Sequence, residues 1–214
     1  MSKSLTAKRK KKEKEIRTNT IIYAADELFS QKGVENTSMD DIVEATMLSK
    51  GTLYNYFSSK QELLYATVVR KMDRLLSYFS EAVSREGTGL DKIRAIGEAY
   101  TLFFNEYPQY FTHTSHYTNI KIKKTSPYSQ EFNQKNRLIS EMMIGTIQQG
   151  ITDGSIREDI LPLETSIVLS FTLRGLLDNL AQYGDDLLNM FNVTSLGLAK
   201  LYFNLITSSL KRIE

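Results

Sequence analysis

Apolar positions recur at helical spacing along most of this 214-residue chain, and no stretch keeps the alternation of a half-buried strand. Ile21, Ala25, Leu28 and Phe29 stand at i, i+4, i+7 and i+8. They predict a first helix that begins near Glu13 to Arg17 and ends at Lys32, with Gly33 as its C′ residue. Met39, Ile42 and Val43 mark one face of a short helix, Met39 to Thr46. Ser38 with Asp41 is a capping box at its start. Ser49 is placed to cap another short helix, Lys50 to Tyr56, in which Leu53, with Phe57 four residues on, turns inward. Ser59 and Glu62 read as a further capping box. It opens a long helix to about Arg85, whose inner face is Leu63, Leu64, Thr67, Val68, Leu75, Leu76 and Phe79.

Residues 90 to 214 predict five more helices. They run from Asp91 to Asn105, from Pro108 to about Tyr117, from Pro127 to about Ile151, from Leu163 to Tyr183 and from Val193 to Ile213. The fold class is therefore all-α. The last two helices carry apolar residues on more than one side, including Ile167, Val168, Leu177, Leu180, Ile206 and Leu210. Some of that surface must face something besides its own domain. Gly175 and Gly197 sit mid-helix, where Gly costs about 1 kcal/mol against Ala, so close backbone approach is a reason for them. Both features predict a homodimer in which helices pair across a two-fold axis, with Phe171, Gly175, Leu196, Gly197, Leu201 and Leu205 at the interface. The alternative is a deeply buried helix pair in a monomer.

The helix from Lys50 leaves Lys50, Gly51, Thr52, Tyr54 and Asn55 facing out. Small polar, aromatic and basic groups on one side of a short helix suit the DNA major groove, whose floor offers donors and acceptors to such side chains. The run SKGTLYNYFSSKQEL (Ser49 to Leu63), with AADELFSQKG (Ala24 to Gly33), the TS before the second helix and DIVEA, resembles the N-terminal domain of the TetR family of bacterial transcriptional regulators over about Ile16 to Leu64. The resemblance implies an N-terminal three-helix helix-turn-helix DNA-binding domain (16–65) behind a basic arm (1–15). A long helix would join it to a C-terminal helical ligand-binding and dimerisation bundle (66–214). It also implies roles: Lys50 and Thr52, then Asn55, at base edges or groove walls; Tyr54, Tyr56 and Lys60 on phosphates, with Thr37 and Ser38 at a helix N-terminus; Ser49 and Gly51 in the same surface. Tyr54 and Tyr56 have plain packing as their alternative. In one place the chain departs from the family, which usually carries Ala-Gly before the recognition helix where Thr46 and Met47 stand here. Either that turn is built differently or Met47 carries strain at positive φ.

Composition narrows the picture. With 41% hydrophobic and 24% charged residues the chain is an ordinary globular one, and without cysteine it has no disulfide framework or thiolate chemistry. No apolar run approaches a membrane span and no signal-peptide pattern is visible, so a cytoplasmic protein is expected. The net charge of +2 hides an asymmetry: residues 1–17 carry +6 and the other 197 carry −4. A basic arm on a mildly acidic body is the pattern of a nucleic-acid contact at one end, with a solubilising tail as the plainer explanation.

Tyr100, Phe103, Phe104, Tyr107, Tyr110, Phe111, His113, His116 and Tyr117 cluster in the second domain. With Met142, Met143 and Phe171 they either line an apolar cavity with a few polar handles or fill a closed aromatic core. In the resembled family this region holds the inducer. His113 and His116 have no third histidine and no cysteine to complete a metal site. No glycine loop for phosphate, nucleophile elbow or HExxH is present, so no catalytic residue, metal or cofactor is expected. The expectation is a DNA-binding regulator, in this family most often a repressor, released from a palindromic operator by a small-molecule effector. The competing reading is a DNA-binding or scaffold protein of the same fold without an effector, its second domain serving protein contacts.

Overall fold

The computed structural model describes residues 2–111, 113 and 126–212. Its helices are α1 (Ser2–Lys32), α2 (Met39–Thr46), α3 (Lys50–Tyr56), α4 (Lys60–Ser84), α5 (Gly89–Glu106), α6 (Pro127–Thr152), α7 (Pro162–Met190) and α8 (Ser195–Leu210), with a short helical segment at 108–111. Among the described residues the one β feature is an isolated bridge between Ile156 and Lys211, and no helix is long and apolar enough to cross a membrane.

The described chain forms two compact units, 2–69 with 126–130, and 70–111 with 131–212. In the first, Ile21, Ile22, Ala25 and Phe29 of α1 meet Val34, Ile42 of α2, Leu53 and Phe57 around α3, and Leu63, Leu64 and Val68 of α4. Phe57 stacks on Tyr128, ring centroids 5.7 Å apart. Gly33, at φ 80°, ends α1 as the C′ residue. The bounds of α2 and α3 are those the pattern predicts. The first helix is longer than expected: α1 starts at Ser2, so the basic stretch 2–15 is helical and continuous with it. Lysine, glutamate and alanine are good helix formers, no Gly or Pro interrupts 2–32, and an Arg9–Glu13 pair at 2.8 Å follows i,i+4 spacing. The box at the start of α4 is displaced by one residue. Ser59 Oγ accepts from the Glu62 N–H at 3.2 Å, but the Glu62 carboxylate accepts from the N–H and hydroxyl of Ser58, at 2.8 and 2.7 Å.

α4 belongs to both units, through 60–69 and 70–84. In the second unit Met72, Leu75 and Phe79 of α4 share a core with Ile93, Ile96, Phe103 and Phe104 of α5, Ile147 of α6, Leu173 and Leu177 of α7, and Ala199 and Leu210 of α8. Thr88 and Asp91 close a capping box on α5. At Gly89 backbone meets backbone: an added Cβ would collide with Gly150 and lie 2.7 Å from the Thr146 carbonyl oxygen. The second part of α4 is fastened to α5 by Tyr78, whose hydroxyl donates to Glu106 at 2.6 Å. Arg74 lies 4.4 Å over the Tyr78 ring and 3.7 Å from the same carboxylate.

Candidate functional site

The helix-turn-helix is set by its caps. Ser38 Oγ accepts from the Asp41 N–H at 3.1 Å and donates to the Asp41 carboxylate at 2.6 Å, while the Ser38 N–H donates to the same carboxylate at 2.7 Å. These bonds, with Lys32 at 3.0 Å, hold the Asp41 carboxyl far below the ordinary carboxylate range. α2 ends on Met47 at φ 54°, ψ 25°, whose N–H donates to the Glu44 carbonyl. The turn is therefore built on a left-handed residue, as in a glycine-containing one, and Met47 bears the strain. Its side chain is 93% exposed and no packing offsets that strain. Ser49 then caps α3, accepting from the Thr52 N–H at 3.2 Å and sharing a hydrogen bond with the Thr52 hydroxyl at 2.8 Å.

Burying Leu53 and Phe57 turns the opposite side of α3 outward. Lys50, Gly51, Tyr54 and Asn55 are exposed, with Thr52 and Tyr56 half-buried. A Cβ at Gly51 would meet nothing within 4 Å, so the helix surface there is open. Beside it runs an open groove of about 440 Å³ lined by Glu35, Asn36, Thr37, Ser38, Met39, Asp40, Lys50, Tyr54 and Lys60. Lys50 Nζ lies in it 2.7 Å from Asp40 Oδ1, and that hydrogen-bonded carboxylate raises the lysine pKa.

Three predicted DNA contacts are already engaged within the protein. Thr37 is 1% exposed, and its hydroxyl donates to the carbonyls of Gly33 (2.8 Å) and Leu28 (3.3 Å), so it ties α1 to α2 rather than reaching outward. Lys60 Nζ donates to the Val34 carbonyl at 2.7 Å and to that of Glu35 at 3.4 Å, supporting the turn before α2. The Ser38 hydroxyl is held by Asp41. The basic side chains of α1 from Lys8 to Arg17 are all exposed. Asp40 is the residue that sequence reasoning passed over. It lies ten positions before Lys50, and only the angle between α2 and α3 brings the two together.

In the second unit Phe103, Phe104, Tyr110, Phe111 and His113 are buried. Phe103 meets Tyr110 at 5.0 Å and Phe104 meets Phe111 at 5.4 Å, while Phe79 meets Tyr100 edge-on at 5.1 Å. Burial pushes the Tyr100 hydroxyl up to about 12 and raises Tyr110 further. Tyr107 is half-buried beneath Lys71 Nζ, 5.9 Å from its ring centroid. The cavity beside Tyr100 holds about 20 Å³ and is lined by Phe79, Ile139, Met143, Leu173 and Phe203 among others. Two expected lining residues are elsewhere. Phe171 is 74% exposed, because α7 buries Leu169, Leu173 and Leu177 instead; Met142 is half-exposed, one residue and about 100° of helix away from buried Met143. His116 and Tyr117 lie outside the described residues. Burial raises the pKa of the Asp178 carboxyl, and the Arg174 guanidinium 3.8 Å away opposes that shift.

α7 and α8 leave an apolar surface uncovered. Leu163, Ile167 and Phe171 stand four residues apart on α7, with Gly175 next in the row, and Leu196, Leu201 and Leu205 are exposed on α8. The close approaches expected at the glycines are absent among the described residues. A Cβ at Gly175 would meet nothing within 4 Å, and one at Gly197 would meet the Thr194 hydroxyl of its own helix cap at 3.0 Å.

Residues 21–67 match the profile of the bacterial regulatory proteins, tetR family. The HTH-type transcriptional activator FasR of Mycolicibacterium smegmatis is 33% identical over 93 residues, 44% of this chain and 42% of FasR. The HTH-type transcriptional repressor KstR2 of Rhodococcus jostii is 27% identical over 149 residues, 67% of this chain and 70% of KstR2. This chain thus spans less than half the length of FasR and about two thirds of KstR2. The fold of FadR from Bacillus subtilis, solved in complex with stearoyl-CoA, superposes with a TM-score of 0.70 over 89% of this chain and 98% of FadR, at 17% identity. Taken with the capped helix-turn-helix and its outward-facing α3, these likenesses make residues 21–67 a domain of the tetR-family type and give the chain the fold of FadR.

Proposed function

We propose that this protein is a homodimeric, cytoplasmic transcriptional regulator that reads a palindromic operator with α3. The observation that carries the reading is the exposed Lys50–Asn55 surface, turned outward because Leu53 and Phe57 are buried beneath it. One seven-residue helix offers few base contacts. Two, presented by a dimer, reach half-sites about 34–36 Å apart on one face of the duplex. The exposed row Leu163, Ile167 and Phe171 with Leu201 and Leu205 supports a four-helix dimer contact through α7 and α8. Lys50, Thr52 and Asn55 serve base edges; Tyr54 and the basic side chains of α1 serve phosphates.

A small-molecule effector in the second unit acts on the reader through α4, which both units share. FasR is an activator and KstR2 a repressor by name, so the sign of regulation is open between them; repression is the reading we adopt. FadR holds stearoyl-CoA, and an apolar acyl chain suits the aromatic lining found here. The cavity of about 20 Å³ beside Tyr100 admits a single water, so an effector seated at that spot parts the helices around it as it enters. The tight packing around Tyr100 supports the second reading, a regulator of the same fold without an effector. Titrating Thr52→Ala, Asn55→Ala and Lys50→Ala against a panel of operator variants tests the main reading. Each should change sequence preference, and a uniform loss across the panel contradicts the assignment. Repeating the titration with stearoyl-CoA separates the two readings: operator release supports a sensor, and unaltered affinity supports the effector-independent protein.

A further inference from the structure

We infer that Asp40 is a specificity-determining residue that works through Lys50, restraining the leading reader lysine until base contacts replace the carboxylate. The inference rests on the DNA-binding reading above and adds to it a residue that the phosphate backbone repels.

The geometry is local. Asp40 stands in the first turn of α2 and Lys50 opens α3, and the ammonium bridges both carboxylate oxygens, at 2.7 Å to Oδ1 and 3.1 Å to Oδ2. Both side chains are largely exposed, so the pair is not a core contact holding the fold. Both also line the groove that includes Tyr54 and the start of α2. The charged residues lining that groove are Glu35, Asp40, Lys50 and Lys60, which cancel to a formal charge of zero. Lys60 is turned onto the Val34 carbonyl, so within this groove Lys50 is the cation nearest the open face of α3, and Asp40 holds it.

Two consequences follow for DNA. On a sequence that offers Lys50 only phosphates, the lysine gains one anion by losing another, and Asp40 is left close to the like-charged backbone. On the right sequence Lys50 can donate to the O6 and N7 acceptors of a guanine, a contact of fixed geometry that phosphate does not match. Asp40 therefore penalises non-specific binding more than operator binding. Sequence selectivity arises partly from repulsion of the wrong partner.

The test uses the full-length protein, an operator duplex obtained by selection from random sequence, and a scrambled duplex of the same composition. Dissociation constants are measured by fluorescence anisotropy across a salt series for wild type, Asp40→Asn, Lys50→Ala and the double variant. Asp40→Asn frees one cation, so its salt slope on scrambled DNA should steepen by about 0.9. Its gain in affinity at 50 mM salt should exceed that at 200 mM by about threefold. The gain on the operator should be smaller, so the specificity ratio falls. In the Lys50→Ala background the slope change should vanish. Asp40→Ser, also suited to a first helical turn, guards against a fold effect of the asparagine. A merely structural Asp40 would lower the melting temperature and leave slope and ratio alone; that outcome overturns the inference, as does an equal slope change with and without Lys50. Absence of binding by the wild type to any selected duplex overturns the DNA-binding reading itself.

Discussion

Replacing Met47 with glycine should make the protein more stable, although it removes the larger side chain. Met47 sits at φ 54°, ψ 25°, where an L-residue's Cβ crowds the following carbonyl at a cost of about 1–2 kcal/mol. Its side chain is 93% exposed, so deleting it forfeits almost no burial. Glycine returns about 0.5–1 kcal/mol of that gain through the extra freedom of its unfolded chain. The expected net stabilisation is about 0.5–1 kcal/mol, a rise of about 1–4 °C in melting temperature for a chain of this size. Thermal melting by circular dichroism reads the shift. Protection of α2 and α3 amides in hydrogen exchange should rise with it, and operator affinity should stay the same because the turn geometry is retained. Met47→Val should move stability the other way, since a β-branched side chain is worse at positive φ. A Met47→Gly protein no more stable than wild type would refute the claim that this turn is strained.

Three other outcomes follow from the structure. Gly89→Ala should destabilise the second unit severely, because its Cβ would collide with the Gly150 backbone and lie 2.7 Å from the Thr146 carbonyl oxygen; a melt within 1 °C of wild type contradicts that packing. Asp41 has a folded pKa depressed below its unfolded value of about 3.9, so its stabilising effect is present above about pH 4 and fades as pH falls further. Asp41→Asn should therefore be less stable than wild type at pH 7, with the gap closing toward pH 2, and a gap independent of pH rules that linkage out. Phe171→Glu with Leu205→Glu should yield a monomer by sedimentation velocity with its helical content intact, and a persistent dimer would move the interface elsewhere.

The helix-turn-helix was readable in the sequence because local chemistry specifies it. The Ser38 and Ser49 caps, the inward Leu53 and Phe57, and the left-handed position at Met47 depend on neighbours within a few residues. The departures come where tertiary context decides. Thr37 looks like a surface residue, yet two backbone carbonyls satisfy its hydroxyl and allow its burial. Lys60 looks like a phosphate ligand, yet its long stem reaches carbonyls some 25 residues earlier in the chain. On α7, apolar residues occupy several sides, so periodicity could not say whether Phe171 faced the core or the outside; the structure turns Leu173 and Leu177 inward and Phe171 out. A slip of one residue, from Met143 to Met142, is enough to rotate a side chain off the core face. The basic stretch gave its charge but not its form, because a lysine-rich segment is compatible with both a loose arm and the helix that α1 adopts.

The most direct trial of the central claim is selection of duplexes from a random library by the purified protein, followed by footprinting of those enriched. The account predicts a two-fold symmetric site with half-sites about one helical turn apart, whose preferred bases change when Thr52 or Asn55 is replaced. Enrichment of no motif, or of a motif indifferent to every substitution on α3, would contradict it.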